Sequence, residues 1–290
     1  MRGRIEVLQP GLFSTIQDTG RFGFAKFGVP GSGAMDSYAA TMANLILNNN
    51  PDAAVLEMTQ MGPKLKFSAP VKIVITGANL SPRINNDNIK NNKIISIAAG
   101  DVLSFGKRIL GARAYLGIAG GFRTEVILQS RSWYKDLTAY SRLEKGILLD
   151  YNAGDQKVVV TASSVKTNFD YLTQNDLEVN PGPEFHKLSS EEKNGIFSKK
   201  FHVSRNNNRM GIQLEEIIPN NLQPIITGPV VAGTVQFTPG GRLIILMRDC
   251  QTTGGYPRIL QLKESSINLL AQKVQGDEIS FFKPVAMDRK

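Results

Sequence analysis

Two hundred and ninety residues exceed what one average domain needs, so one large or two moderate domains are expected. A 41% apolar content with 14 Phe and 7 Tyr supplies a buried core and excludes a disordered chain. The single cysteine, Cys250, excludes an internal disulfide framework, and with only His186 and His202 beside it a His/Cys metal site has little to be built from. The N-terminal segment Met1 to Val7 lacks an apolar signal core. The longest aliphatic run, Leu243 to Met247, is far short of the roughly 18 residues of a membrane span. These features predict a soluble, cytoplasmic protein with no membrane partner. The net charge of +9 is uneven: 18 basic against 11 acidic residues give +7 over residues 1–150, and 16 against 14 give +2 over 151–290. No basic run of four, RNP pattern or recognition helix accompanies that charge, which argues against nucleic acid and for anionic small molecules or an acidic partner.

In chain order, the first dense glycine segment runs from Gln17-Asp-Thr-Gly-Arg21 through Gly23, Gly28, Gly31 and Gly33. It leads into a helix predicted from Asp36 to Leu47, where Tyr38, Ala39, Met42, Leu45 and Ile46 recur at steps of three and four. Asp36 or Ser32 is the expected N-cap, and Asn48-Asn-Asn-Pro51 the stop. Glycines ahead of a helix N-terminus can turn backbone N–H groups toward an anion. The alternative is that they serve tight turns and Asp36 is a cap only. Neither a P-loop nor a G-x-G-x-x-G fingerprint is present. Glu57, among Ala54, Val55, Leu56 and Met58, reads as an exposed strand-edge carboxylate, a buried one being the alternative.

Short β-branched strands are predicted at Lys72 to Thr76, Lys93 to Ile97, Val102 to Phe105, Ala112 to Ile118, Lys157 to Thr161 and Leu243 to Met247. Many short strands with few helices favour an antiparallel barrel or sandwich over a doubly wound sheet. Ser130-Arg-Ser132 reads as a surface loop, although its guanidinium fork suits a carboxylate or phosphate. The polar stretch 162–183, ending in Asn180-Pro-Gly-Pro183, sets a domain boundary. Ser189-Ser-Glu-Glu192 has capping-box spacing and opens a second helix, and a third is expected from Ser266 to about Lys273. His186 and His202, sixteen apart, have no evident carboxylate partner, so a Ser-His-Asp reading has no support. A second polar glycine loop, Asp249-Cys-Gln-Thr-Thr-Gly-Gly-Tyr-Pro257, follows an apolar strand. It reads either as a decorated hairpin or as a donor-rich binding loop, with Cys250 in the core. Ala99 to Phe105 and Gln275 to Phe281 both place a Gly-Asp turn before an alternating strand, compatible with two related β-domains.

Taken together, Gly11-Leu-Phe-Ser-Thr-Ile-Gln-Asp-Thr-Gly-Arg21, Gly28-Val-Pro-Gly-Ser-Gly-Ala-Met-Asp36, Tyr115-Leu-Gly-Ile-Ala-Gly-Gly121, Arg209-Met-Gly211, Val231-Ala-Gly-Thr-Val-Gln236 and Gln251-Thr-Thr-Gly-Gly-Tyr-Pro257 form an ordered motif series. The series resembles the biotin-dependent carboxyltransferase family, which includes the C subunit of 5-oxoprolinase, the allophanate hydrolase subunit 2 proteins and the carboxyltransferase part of urea carboxylase. It covers about residues 5 to 282. The resemblance implies a mainly β chain of two cyclophilin-like β-barrel domains with a few short helices, bounded here as 1–168 and 169–290. It implies an ATP-dependent opening of 5-oxoproline (pyroglutamate) to glutamate, performed with separate B and A subunits. ATP and a divalent cation would be used by the complex. Two alternatives stand: biotin-dependent carboxyl transfer to urea or a related amide, and a non-catalytic role binding a protein like the B subunit. The chain departs from the family pattern at Thr227-Gly228, Asn208, Gln129 and Lys135 to Arg142. Loop chemistry gives Asp18, Asp36 and Asp249 as candidate catalytic groups. The candidate substrate-binding groups are Gln17, Arg21, Ser32, Gly33 and Arg131, with Gln236, Gln251, Thr252, Thr253, Gly254, Gly255 and Tyr256; no metal ligands are assigned.

Overall fold

A computed structural model describes residues 2–154 and 167–283, so the strand expected from Lys157 to Thr161 lies outside the described residues. The chain divides into two compact units: Met1–Phe22 with Ser32–Thr173, and Gly23–Gly31 with Gln174–Lys290. Both are built from short strands. No described helix is long and apolar enough to cross a membrane.

The first unit contains β1 (Arg2–Gln9), β2 (Phe13–Gln17), β3 (Val55–Thr59), β4 (Lys64–Phe67), β5 (Val71–Asn79), β6 (Pro82–Ile84), β7 (Asp87–Asn88), β8 (Ile95–Ile97), β9 (Val102–Phe105), β10 (Leu110–Ile118) and β11 (Leu148–Asn152). They form a six-stranded sheet, β11-β1-β4-β9-β6-β7, and a five-stranded sheet, β2-β3-β10-β5-β8. Period-two alternation explains the core between them: Ile5, Val7, Leu65, Phe67 and Leu103 from one sheet meet Ile16, Leu56, Met58, Ile75, Ala114 and Leu116 from the other. The five-stranded sheet has a second covered face, under helix α1 (Ser37–Ile46).

Helix α1 begins as expected. Asp36 is extended at φ −106°, ψ 91°, and its side chain accepts from the Ala39 N–H at 3.0 Å. Asn48, at φ 53°, ends it. The buried face differs from the sequence reading. Ala39, Ala40, Ala43 and Asn44 are buried, whereas Leu45 is exposed. The small-residue stripe wins because it lets the helix settle closely on the sheet, where even Gly117 leaves only 3.1 Å between a would-be Cβ and Ala43 Cβ.

The second unit contains β12 (Asp176–Pro181), β13 (Phe201–Asn207), β14 (Gly211–Ile217), β15 (Gly228–Pro229), β16 (Thr234–Phe237), β17 (Arg242–Leu246), β18 (Thr253–Gly254), β19 (Arg258–Leu262) and β20 (Glu278–Phe282). Seven of them close a barrel in the order β12-β19-β16-β17-β14-β13-β20, sealed by a parallel β20–β12 pair. Closure removes the sheet edges. The interior holds Val203, Ile212, Leu214, Val235, Phe237, Leu243 and Ile245, with Phe201 and Phe281 rings 5.5 Å apart. Helix α2 (Ser190–Ser198) starts on the expected capping box, with Glu192 N–H donating to Ser189 Oγ at 3.1 Å and Ser189 N–H to Glu192 Oε2 at 2.7 Å. Helix α3 (Glu264–Leu270) starts two residues before the expected Ser266.

The structure corrects the histidine reading. Across the β13–β14 hairpin, His202 Nδ1 lies 2.6 Å from Glu216 Oε1, a pairing that sequence separation of fourteen had hidden. The Glu216 hydrogen bond holds the imidazole above its usual range. Because the folded pKa is raised, this contribution is complete below about pH 6.5 and fades as pH rises through the folded value. An NMR titration of His202 should therefore give a midpoint above 6.5, and Glu216→Gln should bring it back down. An unshifted midpoint in the unaltered protein would contradict the pairing.

Candidate functional site

The residues singled out from sequence divide between the two units. In the first, β2 delivers Gln17 into the interior. Its Nε2 donates to Thr15 Oγ1 and to the Trp133 carbonyl, both at 3.2 Å, and its Oε1 accepts from Gly33 N–H at 3.1 Å. Arg21, 2% exposed, donates to the Ser132 carbonyl. Ser32 sits at φ 55° with its buried Oγ unpartnered among the described residues.

Asp18 organises the loop opposite in sequence. Its Oδ1 accepts from Ser130 Oγ (2.6 Å), Ser132 Oγ (2.7 Å) and Gly20 N–H (2.8 Å), and its Oδ2 accepts from Arg131 N–H (2.6 Å). Four donors on one carboxylate make it a clamp. Ser130-Arg-Ser132 is therefore not the surface loop the sequence suggested: Ser130 and Ser132 are buried, and only Arg131 reaches outward.

The segment ahead of α1 does turn its N–H groups toward an anion, and that anion is the protein's own. Met35 N–H donates to Glu57 Oε2 at 2.7 Å, and Asp36 N–H donates to Tyr115 Oη at 2.8 Å. Tyr115 in turn donates to Glu57 Oε2 at 2.9 Å, and Tyr171 donates to Asp36 Oδ2. An external anion finds these donors already taken. Glu57 also corrects the strand-edge reading. It is 0% exposed because β3 lies inside its sheet, between β2 and β10, with Thr15 and Tyr115 directly opposite and Thr76 beyond. Burial first, then the charges of Glu57 and Asp36, push the Tyr115 phenol well above its ordinary value; Arg113 acts the other way.

In the second unit, Asp249 forms a bidentate pair with Arg209, at 2.7 Å to Nε and 2.9 Å to Nη2. Its N–H also bonds the Arg209 carbonyl at 2.8 Å. Cys250 is core, as expected; burial and the Asp249 charge push its thiol up to about 11, so it is no nucleophile at neutral pH. The loop then pairs as β18 with β15, Gly254 opposite Gly228. Arg258 braces that ribbon, donating to the Pro229 carbonyl at 2.8 Å while its guanidinium grips Glu184.

Gln236, on the central barrel strand β16, is 2% exposed, and its Nε2 has no partner among the described residues. A Cβ built on Gly254 would come within 2.4 Å of that nitrogen, so glycine alone permits this approach. The side chains of Gln251, Thr252 and Thr253 form no hydrogen bond with described residues, and Tyr256 is 40% exposed. A buried, unsatisfied amide donor is costly unless a ligand completes it. Gln236 and the loop residues Gln251, Thr252 and Thr253 carry uncharged donors, of the kind that suits a planar amide oxygen. Arg209 and Arg258, which brace this loop, are paired with Asp249 and Glu184.

None of Asp18, Asp36 and Asp249 has a carboxylate oxygen without a donor on it. What sequence reasoning missed is the Glu57–Tyr115 pair and Arg123, which lies near Arg131. The one signal for the pair was a lone acid in the strand Val55–Thr59, and Arg123 had none.

Comparison with known proteins gives a consistent picture. A family model described as carboxyltransferase domain, subdomain A and B, matches residues 27–283. The chain is 30% identical over 287 residues to the C subunit of 5-oxoprolinase from Escherichia coli K12, covering 96% of this chain and 90% of that one. It is 32% identical over 311 residues to urea amidolyase of Lachancea kluyveri, but spans only 17% of that protein. The crystal structure of Kluyveromyces lactis urea carboxylase superposes with a TM-score of 0.86 at 30% identity over 96% of this chain, which is 27% of that one.

Proposed function

The chain belongs to the carboxyltransferase domain family, subdomains A and B, and from that premise we propose that it is the C subunit of an ATP-dependent 5-oxoprolinase. It acts with the B and A subunits to open 5-oxoproline to glutamate and is inactive alone. The observation that carries this reading is the near end-to-end correspondence with the 5-oxoprolinase C subunit, 96% of one chain on 90% of the other. A fused multidomain relative such as urea amidolyase offers no match of that extent.

The chemistry agrees. An amide is a poor electrophile, and as water adds to its carbon the carbonyl oxygen gains charge. Gln236, approached closely by the Gly254 backbone, is a preorganised uncharged donor for that oxygen. Gln251, Thr252, Thr253 and Tyr256 supply further donors, Gly254 and Gly255 let the ligand approach, and Asp249 fixes the loop through Arg209. On the first unit, Asp18 holds the Ser130 to Ser132 turn with the Arg131 backbone, the Ser132 carbonyl accepts from Arg21, and Gln17 accepts from Gly33 N–H. ATP, which supplies the phosphoryl group that activates the amide, is assigned with its divalent cation to a partner protein, because the donors Gln236, Gln251, Thr252 and Thr253 carry no charge to hold a triphosphate.

The test is reconstitution. Glutamate should form from 5-oxoproline and ATP only when this chain is combined with its B and A subunits. Gln236→Met, which keeps the volume and removes the donor, should lower kcat of the assembly by about 10²–10³-fold. It should raise the unfolding midpoint, since it removes a buried donor that has no partner among the described residues. A second reading, carboxyl transfer from biotin to urea or a related amide, is supported by the urea amidolyase and urea carboxylase likenesses. It predicts consumption of carboxybiotin on a carrier when urea is added. A tight complex with the B subunit, without turnover on either amide, would instead mark the non-catalytic role.

A further inference from the structure

On the first unit a half-open cavity of about 450 Å³ is lined by Arg123, Gln129, Arg131 and Asp52 among others, and of these four the amide-handling reading uses only Arg131. The two guanidinia have no hydrogen-bond or ion-pair partner among the described residues. Both are nonetheless fixed at their roots. Arg123 N–H donates to the Asp150 carbonyl at 2.9 Å, and Arg131 N–H donates to Asp18 Oδ2 at 2.6 Å. The carboxylate of Asp18, in the same lining, is consumed by Ser130, Ser132, Gly20 and the Arg131 backbone, so it stiffens the wall without hydrogen-bonding a guanidinium. Burial and the like charge of Arg123 both hold Arg131 below its usual range, with Asp18 opposing. Two cations facing one cavity repel each other unless an anion joins them.

The turn that carries Arg131 into this cavity is strained. Ile127 and Ser130 exchange backbone hydrogen bonds at 2.8 and 3.2 Å around Leu128 at φ 50° and Gln129 at φ 65°. Two successive left-handed residues define a tight hairpin turn in which Asn-Gly is the low-cost pair. Leu-Gln in that position holds backbone strain that glycine would not carry. What the chain gains at Gln129 is a carboxamide lining the cavity, which glycine would not provide.

We propose that this cavity is a binding site for a small carboxylic acid that also carries an amide or amine N–H. Arg123 and Arg131 receive the carboxylate as paired forks. Gln129 meets a carbonyl or N–H of the same ligand. Asp52, which is solvent-exposed at the lining, accepts from its N–H. The site follows from these groups, and the choice of ligand class rests on the reaction proposed above, whose substrate and product both fit it.

The test measures binding to the free chain by titration calorimetry, with no partner protein present, so its failure is separate from failure of turnover. The probes are L-glutamate, 5-oxoproline, 2-pyrrolidinone and inorganic phosphate. Glutamate or 5-oxoproline should bind, and 2-pyrrolidinone, which lacks the carboxylate, should bind at least tenfold more weakly. Arg131→Met and Arg123→Met should each weaken binding of the carboxylate probe tenfold or more. Both variants should fold, because neither guanidinium holds another of the described residues. Gln129→Gly is the complementary variant: it should raise the unfolding midpoint by relieving the turn while weakening binding. Binding by either arginine variant as tight as by the parent, no binding of either carboxylate at millimolar concentration, or a preference for phosphate over both would each overturn the assignment.

Discussion

Replacing Glu57 by alanine should lower the unfolding free energy by about 3–5 kcal/mol, measured by urea denaturation. The magnitude follows from what the carboxylate holds. Its Oε2 accepts from Met35 N–H, ahead of helix α1, and from Tyr115 Oη, which shares with Glu57 a fully buried row that crosses the five-stranded sheet from Thr15 to Thr76. Each donor left unsatisfied in that setting costs about 1–3 kcal/mol, and the vacated volume adds to it. Glu57→Gln keeps one acceptor oxygen and the volume, so it should cost clearly less than the alanine. Tyr115→Phe removes the hydroxyl that links Glu57 to the Asp36 N–H, and combined with Glu57→Ala the losses should fall short of their sum. A pH signature accompanies the pair. The Tyr115 phenol is raised well above 10 in the folded protein. The unfolded chain therefore releases that proton first, and stability that is complete below about pH 10 is lost as pH climbs toward the folded value. Tyr115→Phe should flatten this alkaline fall. A Glu57→Ala protein as stable as the parent would mean that the row is not a buried network.

How far these features could be seen in the sequence depended on their range. Strands with clean alternation, such as Val102–Phe105, and helix starts with a side-chain cap, at Asp36 and Ser189, follow from neighbours within four residues and were legible. Features set by strand order were not. Glu57 looks like an edge residue until β10 is placed beside β3, since nothing in Ala54 to Met58 names its partner 58 positions away. His202 and Glu216 meet only because a hairpin folds between them. The helix α1 face was misjudged for a related reason: periodicity located the apolar residues, but the close approach at Gly117 selected the alanines. Of the site candidates, Gln236 was found through its motif, while its unpartnered amide and the reason for Gly254 required the β16 register beside the β15–β18 ribbon. Gln129 stood out as a departure from the family pattern, and φ 65° supplies the physical reason glycine would be favoured there.

Asp249→Ala should destabilise the second unit by about 3–5 kcal/mol, because it strands the Arg209 guanidinium in a site where only 7% of the side chain is exposed. Arg209→Met should cost a similar amount by stranding the carboxylate. The double variant Arg209→Met with Asp249→Leu should recover most of the loss, since an apolar pair of similar volume replaces a desolvated ion pair at little net cost. Turnover of the reconstituted assembly separates the two roles open to Asp249. The pair anchors the start of a loop whose later residues are tied back at Val230 N–H to the Thr252 carbonyl (3.1 Å) and Ile225 N–H to the Gly255 carbonyl (2.9 Å). If Asp249 acts by positioning that loop, Asp249→Asn and Arg209→Met should lower kcat to a similar extent, and the apolar double variant should regain stability and activity together. If its carboxylate takes a proton from water or substrate, Asp249→Asn should lose far more activity than Arg209→Met, and the double variant should be stable and inactive. The bidentate geometry, with Nε and Nη2 on separate carboxylate oxygens, commits Asp249 to the first outcome.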